Sequence, residues 1–168
     1  LGAAITSWSD RDGDAPIHPK PTETVDINFA SVFADSVIDL EWDAYSGYLP
    51  VRYLLEKSEN GLNWQLLDSL PLSVQSFRDE QVAVDEQSYY YRLSVLDTCG
   101  DVSPVGLLGK SILLEANRSD GKYPLLNWSA YQKWNNDVLK YEVEVFNPEL
   151  GQFEFVAVVP GTITRFVD

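Results

Sequence analysis

Apolar and polar residues alternate along short stretches of this chain, and most of those stretches end at Gly, Pro, Asn or Asp. Val25-Asp26-Ile27-Asn28-Phe29 is the first. Val37–Trp42 follows, with Ile38, Leu40 and Trp42 on one face, the period-two pattern of a half-buried strand. A third strand spans 52–58, and Asn60-Gly61 after it accept the positive φ of a hairpin turn. A fourth, 63–69, ends at Pro71. Ser76–Asp79 opens a fifth. The sixth, 88–95, directs Tyr91, Leu93 and Val95 to the core, and 105–116 supplies a seventh. No stretch shows the spacing of an amphipathic helix. Short strands with turn signals at regular intervals predict an all-β sandwich.

The pattern then repeats. Leu40-Glu41-Trp42-Asp43-Ala44-Tyr45 returns as Leu126-Asn127-Trp128-Ser129-Ala130-Tyr131. Tyr53 matches Tyr141, Gly61 matches Gly151, Trp64 matches Phe153, Pro71 matches Pro160 and Phe77 matches Phe166. A repeat of this length outranks local signals, and it divides the chain. Residues 1–22 read as the end of a preceding module plus an acidic, Pro-rich linker, with Pro16, Pro19 and Pro21 favouring extended chain. Residues 23–112 read as one complete domain and 113–168 as a partial second. Strands of the second copy are expected at 111–117, 124–128, 140–146 and 152–159. It reaches Asp168 where the first copy has strands still to come, so the expectation is a fragment of a longer, processed chain. Trp42, Tyr53, Tyr91, Trp128 and Tyr141 are the expected aromatic core.

Composition narrows the partners. Nine Tyr, seven Phe and five Trp beside no Met favour strands. The net charge of −14 repels nucleic-acid phosphate and anionic lipid surfaces. No apolar run is long enough to span a membrane as a helix. Cys99 is the single cysteine, so an internal disulfide is excluded.

Candidate chemistry is sparse. Asp10, Asp12 and Asp14 surround Gly13 like the start of a calcium loop, but the later Glu of such a loop is missing. The alternatives are a calcium site completed by main-chain carbonyls and a solvated acidic linker; no other cofactor is expected. His18 is the sole histidine and lies between prolines, so neither a His-rich metal site nor a Ser–His–acid triad is supported. Gly-rich phosphate loops are absent. No enzyme is expected. Trp8, Tyr48, Trp64, Tyr90 and Trp134 are the aromatics least committed to a core and would form any sugar-stacking platform.

A Trp on the second strand, a Tyr opening the third and Tyr91-x-Leu93-x-Val95 resemble a fibronectin type III domain. That resemblance implies that Tyr91 makes the tyrosine corner, a hydroxyl bonded back to upstream backbone. A finer similarity is to the fibronectin-type repeats in large surface proteins of gliding, type IX-secreting (Bacteroidetes-type) bacteria, of the kind carrying a gliding-motility-associated C-terminal domain. Leu126, Trp128, Tyr131, Trp134, Tyr141, Glu142, Gly151, Phe153, Val159-Pro160-Gly161-Thr162 and Phe166 fall on that pattern. Asp97-Thr98-Cys99-Gly100-Asp101-x-Ser103 does so in the first copy, where Tyr90 replaces the family's usual first Cys. The resemblance implies a non-catalytic, structural and adhesive module on the bacterial outer cell surface or outside the cell. It would contact other protein domains of the same or a partner surface protein, and glycans. An accessory subunit of an outer-membrane complex and a carbohydrate-binding or spacer module of a secreted hydrolase are the alternatives. Ser36 and Ser69, each in an Asp-Ser-apolar triplet, are candidate O-glycosylation sites of such bacteria.

Overall fold

The computed structural model describes residues 19–119, 123–132 and 138–167. Among them lie the strands β1 Ile27–Phe33, β2 Val37–Trp42, β3 Pro50–Ser58, β4 Gln65–Pro71, β5 Ser76–Asp79, β6 Tyr90–Asp97, β7 Gly109–Lys110, β8 Leu114–Ser119, β9 Tyr123–Trp128, β10 Lys140–Asn147, β11 Gln152–Pro160 and β12 Arg165–Val167. Two sheets, β1-β2-β5 and β4-β3-β6-β7, make the first sandwich, with every pairing antiparallel. The second set repeats this order as far as it goes: β12-β9-β8 answers β5-β2-β1, and β10-β11 answers β3-β4. The fold is therefore all-β, a fibronectin type III-like sandwich followed by an incomplete one among the described residues.

Alternation puts the core where the pattern places it. Ile38, Leu40 and Trp42 from one sheet meet Tyr53, Leu55, Tyr91, Leu93 and Val95 from the other, all fully or almost fully buried. Each such side chain contributes about 1.5–3 kcal/mol of transfer free energy.

One three-part contact occurs in both units. The Trp42 and Tyr53 rings meet edge-on at 5.7 Å, and the Tyr53 hydroxyl accepts the Tyr45 N–H at 2.9 Å. Trp128 and Tyr141 meet at 5.3 Å, and the Tyr141 hydroxyl accepts the Tyr131 N–H at 3.1 Å. The repeat extends to backbone detail. The β3–β4 ladder bulges between Leu55 and Glu56, and β10–β11 bulges between Val143 and Glu144, the same place in the alignment. Gly61 and Gly151 both hold positive φ, 71° and 66°, in the intervening loop, a conformation that strains any residue with a Cβ.

Three expectations are corrected. The first strand reaches Phe33 rather than ending near Phe29, because Ala34 and Asp35 (φ 50° and 51°) turn the chain so tightly that Phe33 pairs with Val37. The loop after β3 is longer than a two-residue turn. Ser58 Oγ accepts from the Asn60 and Gly61 amides, and Asn60 Oδ1 from those of Leu62 and Asn63, which holds the chain off the ladder until Gln65. The expected strand 105–116 is broken. Pro104 has no N–H to give, the Leu107 N–H donates to the Asp26 side chain at 2.7 Å, and within that stretch Gly109–Lys110 form the strand against β6 before Leu114 begins β8.

Two stability measurements follow. Tyr53→Phe keeps the ring contact but orphans the Tyr45 N–H, and should lower the unfolding free energy by about 1 kcal/mol in urea titrations. The pair Ala34→Asn with Asp35→Gly relieves two left-handed non-glycine residues, and should raise it by roughly 1 kcal/mol.

Candidate functional site

Ionisable side chains converge at one end of the first sandwich. Lys57 from β3 lies 2.7 Å from the Asp79 carboxylate of β5, and the Tyr91 hydroxyl of β6 donates to the same oxygen at 2.9 Å. The other Asp79 oxygen accepts the Gln81 N–H at 3.0 Å, while Lys57 donates to the Gln81 carbonyl at 2.6 Å and lies 4.5 Å from the centre of the Tyr89 ring. Burial, and then the negative charge of Asp79, raise the Tyr91 pKa well above the usual phenol value. Tyr91 therefore stays a donor. Each Asp79 oxygen is engaged and Tyr91 is fully buried, so this triad ties three strands together.

The tyrosine corner belongs to Tyr89, not Tyr91. The Tyr89 hydroxyl accepts the Ala83 N–H and a Gln87 side-chain N–H, each at 2.9 Å. Tyr91 points to the same side of the strand, but Asp79 occupies its hydroxyl.

On the outer face of the β4-β3-β6-β7 sheet, Arg92 forks onto Glu56 at 2.7 and 3.1 Å and lies 4.3 Å from the centre of the Trp64 ring. Lys110 lies 5.3 Å from the Tyr90 ring centre. Cations thus cover the two aromatics a sugar platform would use there, and Tyr48 stands apart in the loop before β3.

The remaining sequence candidates scatter. Asp10, Asp12, Asp14, His18, Trp8 and Trp134 lie outside the described residues. Among the described residues, no three of His, Cys, Asp and Glu are grouped to hold a metal ion. Ser36 is exposed on the β1–β2 turn, whereas the Ser69 hydroxyl on β4 accepts from Arg52 at 3.3 Å. Cys99 is exposed in the turn after β6. Trp42, Tyr53 and Tyr91 are buried, while Trp128 and Tyr141 are half-buried.

That last difference follows from the partial second copy expected from the repeat. In the second unit β10 pairs only with β11, so among the described residues one edge of β10 has no strand beside it. A cavity of about 300 Å³ opens there, lined by Ile112, Leu126, Trp128, Val143, Glu144 and Phe153 among others. Val145, Phe146, Phe155 and Val158 of the same hairpin are exposed.

No family model and no curated protein matches the chain. Solved structures do. A Fn3-like protein from Clostridium thermocellum is 19% identical over 54% of this chain and 88% of that chain, with a TM-score of 0.44. A two fibronectin type-III domain segment from chicken tenascin is 15% identical over 89% and 82%, with a TM-score of 0.41. A β-1,2-glucanase from Parabacteroides distasonis is 14% identical over 57% of this chain, with a TM-score of 0.44, and the chain spans 13% of that enzyme. Fibronectin type III domains, a bacterial one included, are the structural neighbours. No helix among the described residues is long and apolar enough to cross a membrane.

The triad predicts an asymmetric response. Lys57→Met strands the Asp79 carboxylate in the core and should cost about 3–5 kcal/mol, and adding Asp79→Asn should recover part of that loss. Because the Tyr91 pKa is raised on folding, its contribution is intact below the ordinary phenol value of about 10. It is lost as pH rises through the folded value. Urea titrations at stepped alkaline pH should show stability falling above pH ~10 in the parent and less steeply in Tyr91→Phe.

Proposed function

We propose that this chain is a non-catalytic spacer and interaction module of an exported bacterial cell-surface protein, of the gliding-motility, type IX-secreted kind. The observation that supports this reading is how one repeat is fastened to the next. Residues 111–113 connect them and are bonded on both sides. Ser111 exchanges hydrogen bonds with the Tyr89 backbone at 2.9 and 3.0 Å, and Leu113 does so with Ser129, both at 2.9 Å. Lys110 bridges Gln132 through backbone and reaches the Ala130 carbonyl at 3.4 Å, and the Tyr131 hydroxyl accepts the Ala30 N–H at 3.4 Å. Burial raises the Tyr131 pKa, which keeps that hydroxyl neutral. A bonded connector passes load and orientation from module to module, as a stalk requires. The net charge of −14 keeps such a stalk solvated and away from anionic surfaces.

Protease treatment of intact producing cells, followed by immunoblotting for this chain, tests the location. The surface reading expects the signal to disappear while cytoplasmic markers survive; protection until lysis would sink it. Tyr131→Ala tests the joint. Spin-label distances between the two units should broaden markedly, whereas an unchanged distribution would show that Tyr131 does not set the orientation.

A further inference from the structure

We infer that Asn60 is a modification site, where this chain turns asparagine into isoaspartate and aspartate, and that the Ser58 hydroxyl governs how fast. Asn60-Gly61 is the one place in the sequence where Gly follows Asn. The chemistry there is internal. The Gly61 main-chain nitrogen, once solvent base has taken its proton, attacks Cγ of Asn60. The new C–N bond closes a five-membered succinimide, and the side-chain nitrogen leaves as ammonia. Water then opens the ring at Cγ to give aspartate, or at the main-chain carbonyl to give isoaspartate. No oxidant, metal or enzyme enters the balance. Gly favours the attack because it has no Cβ to crowd the closing ring.

The fold keeps Gly at this position and also restrains it. Gly61 holds φ 71°, and a Cβ there would stand 3.4 Å from the Tyr90 ring, so the turn selects the residue that makes its neighbour labile. Restraint comes from Ser58, buried at the end of β3. Its Oγ accepts the Gly61 N–H at 2.9 Å and the Asn60 N–H at 3.3 Å, and donates to Asn60 Oδ1 at 3.2 Å. Asn60 Oδ1 also accepts the Leu62 and Asn63 amides, each at 2.9 Å. The proton to be lost and the carbonyl to be attacked are both engaged, so ring closure requires the loop to open. Asn60 is exposed, and base and water reach it once that local opening occurs. The second unit supplies a control. Asn147 Oδ1 accepts the Glu149 and Leu150 amides at 2.9 and 3.3 Å, the same spacing as at Asn60, but Pro148 follows it and has no N–H to lose. Isoaspartate at Asn60 would lengthen the main chain by one atom, add a carboxylate beside Glu59 and remove the caps on Leu62 and Asn63. Modification therefore loosens the β3–β4 loop.

The 168-residue chain, incubated at mildly alkaline pH and physiological temperature in buffer and in urea, is followed by peptide mass mapping. Replacing –NH2 by –OH adds about one dalton, and fragmentation within the main chain separates isoaspartate from aspartate. Asp12-Gly13 and Asp120-Gly121 isomerise through the same kind of ring without gaining mass, so the gain isolates asparagine. In the folded chain the gain is expected at Asn60 ahead of the other asparagines, with Asn147 unchanged. Urea should speed it about tenfold or more by removing the need for local opening. Ser58→Ala, folded by circular dichroism, should speed it about fivefold, the factor one ordinary hydrogen bond is worth. A gain at Asn60 no faster than at Asn63 in the folded chain would overturn the site. Equal rates in buffer and in urea would overturn the restraint, as would a folded Ser58→Ala variant that matches the parent.

Discussion

Each unit depends on one tyrosine hydroxyl that crosses from one sheet to the other. Tyr53 stands on β3, yet its hydroxyl accepts an N–H from the loop leaving β2, and its ring meets Trp42 at the end of β2. A sandwich holds its sheets together mainly by apolar burial, which has no direction and tolerates sliding. The hydroxyl supplies direction. It fixes where β2 stops, how its loop departs and how far β3 lies from it, and an unmade bond would leave a partly buried N–H without a partner. Tyr141 repeats the arrangement with Trp128 and Tyr131, although the surrounding core is far thinner. The contact is the most local part of the architecture.

Other repeated features follow from this point. With Trp and Tyr set, the β2 and β9 strands each close with the backbone N–H of their Trp donating to a carbonyl just before the next neighbour strand, Gln75 and Thr164, both at 3.0 Å. The turns after Pro71 and Pro160 carry the same backbone bond, at 3.0 and 2.9 Å. What varies lies on surfaces the contact does not constrain. The first unit buries the Lys57–Asp79 pair; the position of Lys57 becomes Val145, exposed.

The fold was legible because burial with period two is a strong physical signal and two copies of the sequence reinforced one another. Ile38, Leu40 and Trp42 could be assigned to the core from spacing alone. Alternation, however, reports which side a residue faces and not what its polar end meets. Tyr89 and Tyr91 share a parity, so nothing local distinguishes the corner hydroxyl from the one taken by Asp79. Lys57 reads as an ordinary polar strand residue, and its partner is on a strand the sequence does not pair with it. The turn at Ala34-Asp35 has neither Asn nor Gly to announce it. The Lys57–Asp79–Tyr91 triad draws on three strands from both sheets, so it became visible only once all three were placed.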